Sequence, residues 1–378
     1  MSDPVALTVA DLDRLLAALS AEGYRCVGPT VRDGAIVYDD VSTSADLPRG
    51  WTDHQDAGQY RLERRHDAAL FGYAVGPHSW KKYLFPAEER LWRLERTDDG
   101  FSLVEEATAP EPHAFIGVRG CELAAIAIQD RVFTGGAHVD GPYATRRARS
   151  FIVAINCTDP GGTCFCVSMR TGPEVGEGYD IALTEVVEET GHRFLAVAGS
   201  ARGAALLDGL ACPAADRQLE AAAKAKVTDA AGRMGRTLDT DELPERLAAS
   251  VESRRWEEIA ARCLACANCT SVCPTCFCSS VEDTAELDGA HAERWRRWDS
   301  CFNPDFSYLY GGEVRRTTAS RYRQWLTHKL SSWHDQFGTS GCVGCGRCIS
   351  WCPVGIDITA EATALREEVV SETGGRGG

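Results

Sequence analysis

The sequence predicts an α+β chain, a mixed α/β part at the N-terminus followed by a helical part crowded with cysteine. Three observations predict it. Phe151 to Asn156 reads as a buried strand by its β-branched content, and His113 to Val118 is a short apolar run of the same length class. Beyond Ala201 the chain becomes alanine-rich and helical in pattern. Two blocks of closely spaced cysteines then punctuate this second part.

From the N-terminus, Val9 to Leu19 has the spacing of an amphipathic helix, entered near Thr8 and closed around Gly23. Gly34 to Asp39 and Leu70 to Val75 read as strands, divided by a polar stretch rich in Gly, Asp and Arg. The run His113 to Val118 ends at Arg119-Gly120-Cys121, and a helix over Glu122 to Phe133 follows. The strand Phe151 to Asn156 ends at Cys157. Both cysteines therefore sit just past the carboxyl ends of strands, where open α/β sheets place their ligands. Ile181 to Val187 and Arg193 to Ala198 form a hairpin about Gly191-His192.

Alanine-rich helical segments then run to Ala261, with Ser253 capping the helix that carries Trp256 into the first cysteine block. Tyr322, Trp325, Leu326, Leu330 and Trp333 fall at helical spacing and read as a packing stripe. Glu361 to Val370 is a final helix, and Glu372 to Gly378 reads as a disordered glycine-rich tail. The expected division is 1–210 as a mixed α/β domain, 211–255 as a helical connector, 256–362 as the cysteine-block domain and 371–378 as tail.

Composition narrows the partners. A length of 378 residues suits two domains, or one with a large extension, and 44% hydrophobic with 25% charged residues is ordinary for a soluble globular protein. A net charge of −15 argues against nucleic acid or anionic lipid. Met1 to Ala10 lacks the basic patch and apolar run of a secretory signal. Arg64-Arg65 lies too far inside the chain, with no apolar run after it, to be a twin-arginine signal. No segment approaches the ~20 apolar residues of a membrane helix. Seventeen cysteines without an export signal point to a reduced cytoplasm, where clustered cysteine means metal.

The two blocks read Cys263-x2-Cys266-x2-Cys269-x3-Cys273-Pro274 and Cys342-x2-Cys345-x2-Cys348-x3-Cys352-Pro353. Three cysteines at intervals of three surround one face of an iron–sulfur cube, and the fourth, before proline, turns toward a neighbouring cluster. The crossed pattern assigns Cys263, Cys266, Cys269 and Cys352 to one [4Fe–4S] cluster and Cys342, Cys345, Cys348 and Cys273 to the other. The second part is thus expected to be a two-cluster, ferredoxin-like domain. Proline stops helix continuation at each turn, and Gly341, Gly344 and Gly346 allow backbone to pass close to sulfide. A structural zinc site fits poorly, since zinc takes four ligands from two CxxC pairs rather than three plus an outlier, twice.

Nine cysteines remain. Cys26 and Cys212 are isolated and read as small buried hydrophobes. Cys121, Cys157, Cys164, Cys166, Cys276, Cys278 and Cys301 are candidate ligands of a further cluster. Thr163-Cys164-Phe165-Cys166 recurs word for word as Thr275-Cys276-Phe277-Cys278. The two CxC pairs could jointly supply one cluster, with Cys121, Cys157, Cys164 and Cys166 as a rival four. Seven cysteines could reach two extra clusters with one non-cysteine ligand, for which Asp299 is a candidate. No GxGxxG follows a strand, no P-loop is present, and His78, His113 and His334 lack metal-binding spacing.

The two cysteine blocks, Gly76 to Lys82, Val118 to Leu123, Asn156-Cys157, Thr163 to Cys166, Cys273 to Cys278 and Trp298 to Cys301 together carry a family resemblance. From about residue 70 to 360 the chain resembles the iron–sulfur beta subunit of cytosolic, NAD(P)-linked [NiFe] hydrogenases of sulfhydrogenase type. The electron-transfer subunit of anaerobic sulfite reductase is similar. The resemblance implies a hetero-oligomer in which this subunit relays electrons between a flavin subunit handling NAD(P)H and the small and large hydrogenase subunits. It implies no catalytic residues here, and the paired CxxC motifs of a nickel–iron site are absent. Other readings are the sulfite reductase subunit, an oxidoreductase with a catalytic α/β half, and a zinc-stabilised scaffold.

Overall fold

The computed structural model describes residues 3–74, 76–104, 110–189 and 191–374. Its main strands are β1 Val5–Thr8, β2 Arg25–Arg32, β3 Ala35–Asp40, β4 Trp51–Asp56, β5 Gln59–Arg64, β6 Glu88–Thr97, β7 Gly100–Val104, β8 His113–Val118, β9 Ser150–Ile155, β10 Ile181–Glu188, β11 Gly191–Ala198, β12 Ser279–Ala285 and β13 His291–Trp298. A seven-stranded sheet runs β1-β11-β10-β9-β8-β2-β3. Its centre, β2, β8, β9 and β10, is parallel, and its margins are antiparallel.

Parallel strands covered on both faces read as continuous apolar runs, and every residue of β9 is buried. Phe151, Val153 and Ile155 meet the helices Val9–Ala21 and Ala201–Leu210 through Leu12, Leu16, Leu207 and Leu210. Ile152 and Ala154, pointing the other way, meet Leu123 and Ile126 of the helix Gly120–Thr134. That helix is buried almost all round. Its Cys121, Ala125 and Ile128 pack in turn on Trp333, Val343 and Cys345 from the second half of the chain.

Thr8 caps the first helix in a reciprocal box with Asp11, as expected of Thr before an acidic N3 residue. Ser253 accepts from Arg255 N but lies one residue before Arg254, the N-cap of the helix Arg255–Ala260. The expected strand over Leu70–Val75 is corrected: residues 70–74 form no strand, and Val75 lies outside the described residues. Side chains satisfy this backbone in place of a ladder. The Glu185 carboxylate accepts from Leu70 N and Phe71 N, and Arg119 donates to Phe71 O and Tyr73 O.

The second half is less purely helical than its composition predicts. A four-stranded sheet, β12-β13-β6-β7, joins the segment between the cysteine blocks to residues 88–104. It crosses the division expected between 1–210 and 256–362. The connector is shared as well: the helix Arg217–Gly232 packs on β10 through Leu219 and Ala223, whereas Leu243 and Leu247 join Trp256, Tyr322, Trp325 and Leu326. The stripe is core packing, with Trp333 turned to a separate cluster beside Cys121 and Cys345. The last helix, Ile358–Gly374, starts earlier and runs further than expected, into the stretch read as tail; residues 375–378 lie outside the described residues. Among the described residues no helix is long and apolar enough to cross a membrane.

Candidate metal centres

The first cysteine block leaves the helix Arg255–Ala260 as a loop that twice enters the left-handed region, at Ala265 (φ 51°) and Ala267 (φ 63°). The second block repeats both turns with Gly344 (φ 64°) and Gly346 (φ 73°). In the second block, a Cβ on Gly344 would meet Phe165 backbone at 2.6 Å, and one on Gly346 would strike Thr163. The close seating of Thr163–Cys166 on the second block therefore demands glycine. In both blocks a backbone N–H points at the first thiol, Ala265 N at Cys263 Sγ and Gly344 N at Cys342 Sγ, each at 3.4 Å.

Cys263, Cys266 and Cys269 line one cavity with Cys352 from the distant second block, and Cys348, Tyr322 and Trp325 complete much of its wall. The fourth cysteine of the second block thus faces the first block's loop. Cys273, the counterpart in the first block, lies near the Cys342, Cys345 and Cys348 group, close enough for their charges to interact. Lys329 reaches the same place, its Nζ 3.1 Å from Cys273 Sγ and 3.0 Å from Thr275 Oγ1.

Cys121, Cys157, Cys164 and Cys166 line a second cavity, whose wall includes Cys345, Gly344 and Arg119. Of the two groupings the sequence leaves open, this is the one brought together. The two CxC pairs do not meet: Cys276 and Cys278 are absent from that cavity's wall, and Cys278 lies instead beside Cys301. Asp299 is engaged as a turn cap, its Oδ1 accepting from Ser300 N and Asn303 Nδ2. Cys26 is buried in the sheet core, and Cys212 is half-buried near the sheet-side core.

Among the described residues no three His, Cys, Asp or Glu groups close on a single point as one metal ion requires. The thiols ring wider cavities. Soft thiolates are the donor set of iron–sulfur clusters. Buried donors without partners stand on the same walls: Trp325 Nε1 and Tyr322 OH at the first cavity, Arg119 Nε and Nη1 at the second. A sulfide-bearing group would give them acceptors.

Residues 262–356 match the family of 4Fe–4S dicluster domains. The chain is also 30% identical over 294 residues to the sulfhydrogenase 2 subunit beta of Pyrococcus furiosus, covering 77% of this chain and 83% of that one. The chain belongs to that family of hydrogenase iron–sulfur beta subunits. No solved structure matches it significantly.

In this family member the motifs outside the cysteine blocks converge on one buried ion pair. Arg347, between Cys345 and Cys348, pairs with Glu122 at 2.5 Å, the two side chains being 0% and 1% exposed. Arg347 also donates to Gly76 O and His78 O, and Glu122 accepts from Tyr38 OH, Trp80 Nε1 and Arg119 N. Gly76 to Lys82 and Val118 to Leu123 thereby anchor the second block to the sheet. Sequence reasoning passed over Lys329, Arg347 and Arg119 as site residues. For Arg119 and Arg347 the usable signal was a lone charge inside an apolar or cysteine-rich stretch; Lys329, between His328 and Leu330, carried none.

Proposed function

We propose that the chain is the electron relay of a hetero-oligomeric hydrogenase, passing single electrons between a flavin subunit that handles NAD(P)H and a [NiFe] small- and large-subunit module. In this reading Cys263, Cys266, Cys269 and Cys352 hold one [4Fe–4S] cluster, and Cys342, Cys345, Cys348 and Cys273 hold another. Cys121, Cys157, Cys164 and Cys166 hold a third. The observation that carries it is the sharing of walls. Cys348 lines the cavity of the first set and Cys345 the cavity of the third. The second set is therefore the middle of a row of three, an arrangement suited to relay.

The clusters supply one-electron chemistry when bound; the chain's own residues set their surroundings. Backbone N–H groups at Cys263 and Cys342, the Tyr322 and Trp325 donors, and the Arg119 and Lys329 cations each stabilise negative charge on sulfur. The test is anaerobic purification of the complex with its partners, followed by Cys345→Ser. Hydrogen-dependent NAD(P) reduction should be lost while the nickel–iron module still reduces an artificial dye. Full retention of NAD(P) reduction would refute the relay, and a sirohaem partner would move the chain to the sulfite reductase reading.

A further inference from the structure

Three thiols stand outside these sets, with Cys278 close to both Cys276 and Cys301. Cys276 and Cys278 flank Phe277 on the segment that leaves Cys273-Pro274, and Cys301 follows the end of β13. Asp299 N donates to Cys278 O at 2.9 Å, which fastens the end of β13 to the CxC segment. The Cys278 and Cys301 thiols are close enough to influence each other's ionisation, as are those of Cys276 and Cys273.

Two buried lysines converge on the same place. Lys329 is 3% exposed and sits on the π-helical turn His328–Ser332, which interrupts the helical run between Thr318 and Phe337. Lys81 is 4% exposed, donates to Cys276 O at 3.2 Å and lies 3.8 Å from the Trp298 ring centroid. Among the described residues neither ammonium has a carboxylate partner; their contacts are carbonyl, hydroxyl, thiol and indole. Two buried cations without a carboxylate are costly, and thiols offset them only where they ionise. One of the two is accounted for by Cys273 and the middle cluster. Lys81 is not. An iron–sulfur cluster with thiolate ligands carries the missing negative charge, and its sulfides accept hydrogen bonds.

We propose that Cys276, Cys278 and Cys301 hold a further iron–sulfur cluster, charge-balanced by Lys81 with Lys329 and adjoining the middle cluster at Cys273. Asp299 is engaged through Oδ1 alone, so the protein's cysteine donors number three and one corner of the cluster carries no cysteine. The site lies to the side of the row of three and makes the middle cluster a branch point. This inference builds on the relay reading but is tested separately from it.

The test uses the anaerobically purified complex. In Cys278→Ser and Cys301→Ser, iron and sulfide should each fall by about three to four per chain, with loss of one paramagnetic signal after dithionite reduction. The signals of the other clusters should persist. Lys81→Met should keep the iron but shift the midpoint of that one signal, which a merely structural lysine would not do. Folded Cys278→Ser and Cys301→Ser proteins with full iron, or zinc found at the site, would overturn the proposal. If these variants do not fold, native mass spectrometry of the unaltered chain decides: about fifteen irons or more supports the site, and about eight overturns it. At about twelve irons, Cys164→Ser assigns the third cluster. Loss of iron there overturns the present site; no loss supports it and removes the cluster proposed at Cys121, Cys157, Cys164 and Cys166.

Discussion

At Lys329 a buried ammonium stands 3.1 Å from Cys273 Sγ, and the two groups reshape each other. The Cys276 thiol first, and the Lys329 charge after it, hold the Cys273 thiol well below its ordinary range despite burial. Burial works against the Lys329 charge, but the neighbouring sulfurs, Cys273 first and then Cys276 and Cys342, outweigh it and keep the lysine protonated. A fixed positive charge favours the reduced, more negative cluster. Lys329→Met should therefore lower the midpoint potential of the middle cluster by on the order of 50–100 mV, read by a potentiometric spectroscopic titration. An unmoved midpoint would show that this charge is not coupled to the cluster. The crossing of ligands is tested at the same scale. Cys352→Ser should damage the cluster of the first block and spare that of its own block; the reverse pattern of spectral loss would disprove the crossing. Glu122→Gln should destabilise the fold by about 3–5 kcal/mol in denaturant unfolding, because it leaves Arg347 buried without its counter-charge.

The sheet β12-β13-β6-β7 illustrates how an element can be built on charge. Its cross-strand partners are ion pairs: Arg294 with Asp283, Arg297 with Glu88 and Glu282, and Arg90 with Glu293. Arg296 is the inward member, pairing with Glu89 of β6 and with Asp140, which caps the helix Gly141–Ala148. Exposed pairs of this kind contribute little, whereas the half-buried Arg296 pair joins three elements. Arg296→Met should cost on the order of 2–3 kcal/mol of stability with iron content unchanged, and Arg294→Met less than about 1 kcal/mol. Equal losses at the two positions would count against this account. Hydrophobic periodicity is blind to such a ribbon, since a strand that reads His-Ala-Glu-Arg-Trp-Arg-Arg-Trp shows no apolar alternation. The helical elements were easier. Thr8 with Asp11 announces a helix start in the sequence because capping is local, whereas Ser253 lies one residue before the N-cap Arg254 and only accepts from Arg255 N.

Across the whole molecule the set Cys121, Cys157, Cys164 and Cys166 lies where the ends of the parallel sheet, the helix Gly120–Thr134 and the second cysteine block meet. Metal-bound thiolates would tie distant segments, so cluster assembly should be coupled to folding. Chelation or air oxidation should loosen residues 255–360 before the sheet, whose core stands on Phe151, Val153, Ile181 and Phe194 without any cluster. Limited proteolysis of apo and loaded chains checks this, and uniform resistance of the apo chain would contradict it. What the sequence determined by itself were the features encoded by neighbours in the chain. The spacing of the two blocks, the buried strands at β8, β9 and β10, the cysteines past their ends and the helix cap at Thr8 are all local patterns. What only the tertiary structure decided were the choices between equivalent groups. Which four of seven spare cysteines share a cavity, which cation neutralises which thiol, and why Leu70 to Ala74 is no strand depend on contacts between residues far apart in the chain. Short-range periodicity carries no record of those contacts, because the burial that makes them strong exists only after the chain has folded.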